Sequence, residues 1–187
     1  MKKYIAFLSI AAITLVMYSC KEDEEMPDPT PTTSLYDRVG GSTMVDDPAN
    51  PGMMIEQGRL TLRSVVDSSI FVIAADPEMT PFFGTLLSEV GTGDVSGLTI
   101  LSDNFTDFLC AATGCTNPDY AYGGLSMSDA HNTATNDRMG SLADDGDFDQ
   151  FIADIAVGLS QNGVTDVELI ADLVALLETT RADIVQL

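Results

Sequence analysis

Few side chains in this sequence could act as ligands, nucleophiles or general bases. His131 is its one histidine, Cys20, Cys110 and Cys115 are its three cysteines, and tryptophan is absent. A single imidazole excludes multi-histidine zinc centres, and three separated cysteines exclude a four-cysteine cluster at the usual spacing. Any metal chemistry must therefore use carboxylates or His131. A Ser–His–Asp arrangement would need His131 as its base, and the G-x-S-x-G turn that presents such a nucleophile is missing. The acidic run Asp144 to Asp149 suggests calcium, but it lacks the ligand order and the distant glutamate of an EF-hand loop. The 29 acids outnumber 8 bases for a net charge of −21, which repels phosphate backbones and argues against a nucleic-acid partner.

Cys20 belongs to a different part of the chain. Lys2 and Lys3 precede an apolar run from Ile5 to Met17, the pattern of a secretory leader over residues 1–19. Met17-Tyr18-Ser19-Cys20 resembles a bacterial lipobox, which implies cleavage before Cys20 and acylation of its thiol, leaving a membrane association only through that N-terminal lipid anchor. The acidic stretch Lys21 to Glu25 resembles the signal that routes some outer-membrane lipoproteins to the cell surface. Residues 20–33 continue as an acidic, proline-rich tether, semi-rigid and non-helical. Cleavage would leave 29 acids against six bases, a net charge of −23, and residues 34–187 hold 24 acids and five arginines with no lysine. Export would also permit a disulfide between Cys110 and Cys115, which the spacing favours slightly over two buried thiols.

Residues 34–187 read as an all-α domain, with no convincing strand alternation. From Met54 to Ala75, Ile55, Leu62, Val66, Ile70 and Ile73 recur at helical steps until Asp76-Pro77 stops the helix, and Thr80 to Phe83 form a short turn. Leu98, Leu101, Phe105, Phe108 and Leu109 form one stripe, with Asp103, Asn104 and Asp107 elsewhere around the axis, Ser96 as N-cap and Gly114 as stop. A loop over residues 116–126 leads to a short helix carrying Met127, His131 and Ala134. A helix from Asp147 to Gln161 ends at Asn162-Gly163. The last helix starts at Thr165, which with Glu168 forms a capping box, and runs through Ile184.

His131 opposite a stripe containing Leu101 and Phe105, with Phe82-Phe83 near, could suit a haem. Such a cofactor needs an apolar slot, one neutral imidazole on the iron and polar groups at the rim for its propionates. Composition alone does not establish this. The punctuation adds to it: Tyr36 and Gly40-Gly41 resemble the opening motif of the truncated haemoglobins, the small two-over-two globins. Asp76 to Phe83 resembles that family's paired-Phe signature, Tyr122-Gly123-Gly124 its second glycine motif, and Asn162-Gly163-Val164 the junction of its last two helices. In group-one members the proximal histidine comes nine positions after that tyrosine, and here that position is His131.

The resemblance covers about residues 34–187. It implies haem b as cofactor, a diatomic gas (O2, NO or CO) as ligand, His131 as the iron ligand and Phe83 as the aromatic on the haem face. It sets Leu101 and Phe105 at the two distal-helix positions, Ile70 where many members carry a tyrosine, and Tyr122 and Arg138 as candidates for the propionates. Residues 44–59 are an insertion in this scheme, with a smaller one between His131 and Phe148. With Ile70, Leu101 and Phe105 in place the distal side has no donor, which implies rapid oxygen release or easy autoxidation, and relatively better binding of CO or NO. No second histidine exists for a six-coordinate iron, although Met53, Met54 and Met79 come near that side in sequence. Enzymatic activity, such as dioxygenation of NO, would need an electron donor that the sequence does not identify. A cofactor-free helical lipoprotein that serves as a binding or structural module is the alternative reading.

Overall fold

The computed structural model describes residues 33–187. The leader over 1–19, Cys20 and the tether up to residue 32 lie outside the described residues. The order of elements is α1 (Leu35–Arg38), β1 (Met44–Asp46), β2 (Met54–Glu56), α2 (Gln57–Ala75), a 3-10 turn (Thr80–Phe83), α3 (Gly84–Gly91), α4 (Ser96–Thr113), a second 3-10 turn (Pro118–Tyr120), α5 (Met127–Ala130), α6 (Asp145–Gln161), α7 (Val167–Glu178) and α8 (Arg181–Ile184).

Helix α2 is the centre of the fold because its apolar positions fill one broad face. Leu62, Val65, Val66, Ser69, Ile70 and Ile73 are all buried, and the helix lies against both α4 and α6. It ends where expected: Asp76 takes an extended conformation, as a residue before proline must. At the crossing with α6, Gly158 lets Ser69 come so close that an added Cβ would collide with its hydroxyl. Phe148, Ile155 and Leu159 of α6 and Leu169, Leu173 and Leu177 of α7 complete the core.

The helix ends show where local chemistry departs from the simple reading. Ser96 does not cap α4: it is the first helical residue, Val95 is the N-cap without a side-chain bond, and Asp94 Oδ1, one position earlier, accepts from the Ser96 amide at 2.9 Å and the Ser96 hydroxyl at 2.7 Å. Gly114 does end α4 in the left-handed region, at φ 98°, and the amide of Cys115 closes back onto the Cys110 carbonyl at 2.9 Å. Helix α7 is capped by Asp166, which accepts from the amides of Glu168 and Leu169, both at 3.0 Å, so Thr165 and Glu168 form no capping box. The last helix also breaks into α7 and α8. Thr179 and Thr180 each donate their hydroxyl to a carbonyl three residues back, at 2.6 and 2.7 Å, in competition with the helical ladder.

Two expectations need correction. The reading without strands, with Ile55 on the stripe of a helix from Met54, does not hold at residues 44–59: β1 and β2 pair antiparallel, with Val45 opposite Ile55, and α2 begins only at Gln57. Ile55 is buried, and the connecting turn is held by Asp47, which accepts from Arg63 of α2 at 2.6 Å and whose carboxyl that guanidinium keeps well below the usual range. The cysteine clasp is the other correction, since Cys110 and Cys115 are both free thiols. Cys110 is fully buried beside Arg59, whose Nη1 lies 3.8 Å from its Sγ. The turn at Gly114 carries Cys115 away to Tyr36, so the two sulfurs serve different neighbours.

Tyr36 also begins a buried polar link to the loop before α5. Its hydroxyl donates to Glu56 at 2.7 Å, and Asn117 Nδ2 donates to the other Glu56 oxygen at 2.7 Å. One carboxylate thereby ties α1, the hairpin and the loop that leads to Tyr122 and His131.

Candidate functional site

A cavity of about 420 Å³ opens between α2, α3, α4, α5 and the C-terminal helices, and its walls are mostly hydrocarbon. All seven residues singled out from the sequence line it: Ile70 from α2, Phe83 from the first 3-10 turn, Leu101 and Phe105 from α4, and Tyr122, His131 and Arg138 from the loops around α5. Ile70 is buried, and Phe105 packs on Phe151 of α6 with ring centroids 6.1 Å apart. Tyr122 meets Phe108 edge-on at 5.9 Å, and its hydroxyl donates to the Leu125 carbonyl at 2.6 Å.

His131 is held by its own short helix. Ser126 caps α5 by accepting from the Asp129 amide, and the helix ends at Ala130, so His131 is its C-cap and not a residue within a longer turn as expected. The ring Nδ1 lies 2.8 Å from the Met127 carbonyl oxygen. A carbonyl can only accept, so Nδ1 carries the proton and the lone pair stays on Nε2. Burial pushes the pKa of the imidazole below its ordinary value, against the opposing pull of the Met127 carbonyl, and keeps the ring neutral near pH 7. A neutral, orientationally fixed imidazole with its second nitrogen unspent is the state a metal ligand requires.

Arg138 is committed elsewhere. Its guanidinium forms a bidentate pair with Glu89 of α3, at 2.9 and 2.5 Å, which raises its pKa further. The pair lies over the first turn of α4, where a Cβ on Gly97 would collide with both partners. Glu89 and Arg138 thus fasten α3 to the segment that follows His131. None of the residues of α3 is buried, yet its Leu86 and Leu87 face the cavity.

The methionines divide in a similar way. Met53 and Met54 are exposed on the hairpin, while Met79 is buried and lines the cavity. The acidic run at Asp144 serves structure: Asp144 and Asp147 form the capping box of α6, and Asp145 and Asp149 pair with Arg181.

Sequence reasoning missed the contribution of α3 and one polar side chain. Residues 84–91 had no helical reading, although the Leu86-Leu87 doublet behind Phe83 was a signal. Asn104, placed away from the stripe, lines the cavity between Leu101 and Phe108. A stripe centred on Leu101 and Phe105 necessarily includes position 104, one turn from both Leu101 and Phe108.

The donor set suits a haem. One face offers a neutral imidazole with a free nitrogen, the walls offer aliphatic and aromatic groups, and the volume lies within the ordinary range for cofactor sites, roughly 300–1,000 Å³. At the rim, Arg138 could meet a propionate only by leaving Glu89.

What the fold and cavity define together is a helical sandwich that presents one imidazole to an apolar slot. The sequence matches no family model and no curated protein. Among solved structures the fold is similar to a truncated hemoglobin from Tetrahymena pyriformis, a point mutant in the Fe(III) form. The match has a TM-score of 0.55 at 21% identity and covers 82% of this chain and 99% of that one. The chain therefore has the truncated-globin fold.

Proposed function

We propose that this chain binds haem b through His131 and takes a diatomic ligand at the iron. The observation that carries the reading is the Nδ1 bond to the Met127 carbonyl, which leaves Nε2 of a neutral imidazole available in an apolar cavity. Haem would supply an iron with one coordination position open to O2, NO or CO. The protein's own part is to hold the imidazole in one tautomer, to pack Phe83, Leu101, Phe105 and Ile70 against the cofactor, and to keep bulk water out. Tyr122 and Arg138 stand nearest to the role of rim partners.

Titration of hemin into the purified full-length chain tests this. A sharp, stoichiometric Soret band is expected for the wild type, and His131→Ala should give only the broad spectrum of loosely bound hemin. Identical spectra for the two proteins would remove His131 from the iron.

The sequence supports an exported, lipid-anchored form of this haem protein, displayed on the outer membrane and possessing Cys20 as its acylated residue. Cells fed labelled palmitate should incorporate label into the protein, and Cys20→Ser should abolish that incorporation. Label retained in the variant would exclude Cys20 as the attachment point.

A further inference from the structure

Seven side chains with nitrogen or oxygen atoms line the cavity, and six of them are already engaged with the protein. Tyr122 donates to Leu125, Thr180 donates to the Leu177 carbonyl at 2.7 Å, and Asp147 accepts from the Asp144 amide at 2.9 Å. Asn136 is used at both ends, Nδ2 donating to the Ala130 carbonyl at 2.7 Å and Oδ1 accepting from the Arg138 amide at 3.1 Å. Arg138 holds Glu89, and His131 keeps one nitrogen on Met127.

Asn104 is the exception. It is half-buried on α4, and among the described residues its amide makes no hydrogen bond. Leu101 precedes it by three positions and Phe108 follows by four, so the three share one helical face toward the cavity. The amide is not sealed from solvent, and because it spends no hydrogen bond on the protein it is free to turn to a guest in the cavity. Helix α5 packs on α8 and α4 packs on α2, so the imidazole and the amide reach the cavity from different elements.

We infer that Asn104 is the hydrogen-bond donor to a diatomic ligand in this cavity and sets its preference toward O2 over CO. The inference rests on the haem reading above, and it revises the expectation of a distal side without a donor. Ile70, Leu101 and Phe105 contribute only carbon, so no other residue among those assigned to that side can discriminate by polarity. Dioxygen gains charge from iron and accepts a hydrogen bond strongly, whereas CO does so weakly. The Asn104 amide should therefore slow the loss of O2 much more than the loss of CO.

The test uses the full-length chain loaded with hemin and reduced, in wild-type, Asn104→Leu and Asn104→Ala forms. The expected result is that both variants bind hemin as the wild type does but release O2 about ten- to a hundredfold faster, the value of one charge-assisted hydrogen bond. CO release should change far less, and the C–O stretching frequency should rise as the positive field of the amide is lost. Equal changes for the two gases, or none, would overturn the inference while leaving the haem reading intact. Faster hemin loss with unchanged gas kinetics would also overturn it, since the amide would then be holding the cofactor. A wild-type chain that takes up no hemin would fail at the earlier step, and both readings would fall together.

Discussion

Among the described residues Asp154 is the one buried carboxylate with an oxygen that lacks a hydrogen-bond partner. Its Oδ2 meets no hydrogen-bond donor among the described residues, and Gln150 reaches only Oδ1, at 3.2 Å, while also bonding Asp76 at 2.7 Å. Burial, followed by the neighbouring Asp76 carboxylate, raises its pKa, and Gln150 opposes them. A carboxyl whose folded pKa is raised binds its proton more tightly in the folded than in the unfolded state. Its contribution to stability is complete below the unfolded value, near 4, and is lost as the pH rises through the folded one. At pH 7 the charge is thus a liability that a neutral isostere removes. Asp154→Asn should stabilise the protein at pH 7 by removing the buried charge, with the gain shrinking toward pH 4 as the native carboxyl takes up its proton. Urea denaturation at the two pH values measures it, and a gain of equal size at both would rule out the ionisation of Asp154 as its source. Ser69 and Thr106, whose hydroxyls also lack partners, carry no charge and give no comparable dependence on pH.

Among the elements, those with long apolar periodicity are legible in sequence and those made by tertiary contacts are not. Helices α2 and α6 bury stripes that repeat over several turns, and the stripe of α4 turns Leu101, Phe105 and Phe108 to the cavity, so these faces follow from residue spacing. The hairpin is invisible for the opposite reason. Three-residue strands are too short for an alternation, and the turn between them depends on Arg63, sixteen positions away from Asp47. Caps are legible only to within a residue or two, because an acid next to the candidate serine or threonine carries charge that favours a helix N-terminus: Asp166 takes the Glu168 amide that Thr165 would have used, and Asp94 binds the amide and hydroxyl of Ser96. The cavity residues on helical stripes or beside glycine motifs were readable, while α3 was not. Its Leu86 and Leu87 have nothing to bury against until Phe83, Gly97 and the Glu89–Arg138 pair bring it over α4. An element held largely by one ion pair and a cavity wall has little intrinsic signature in the sequence.

At the scale of the molecule, charge would control how the proposed haem arrives. Among the described residues every one of the five arginines is paired: Arg38 with Asp172, Arg59 with Asp107, Arg63 with Asp47, Arg138 with Glu89, and Arg181 with Asp145, Asp149 and Glu178. The pairs neutralise the positive charge locally and leave most of the 24 acids of residues 34–187 uncompensated. Free hemin carries two ionised propionates near pH 7, so the domain repels it at long range, and Arg138 can offer no attraction until Glu89 releases it. Repulsion of this kind reaches about 30 Å at 10 mM salt and about 8 Å at physiological ionic strength. Hemin association should therefore accelerate severalfold as salt is raised over that interval, the reverse of the behaviour of a site that steers its ligand in. Stopped-flow mixing of monomeric hemin with the chain, followed at the Soret band, gives the rate directly. Glu89→Gln should raise the rate at low salt and flatten its dependence, because it frees Arg138 and removes one acid at the mouth. A wild-type rate that falls with added salt would mean that a local basic field at the cavity outweighs the charge of the whole domain.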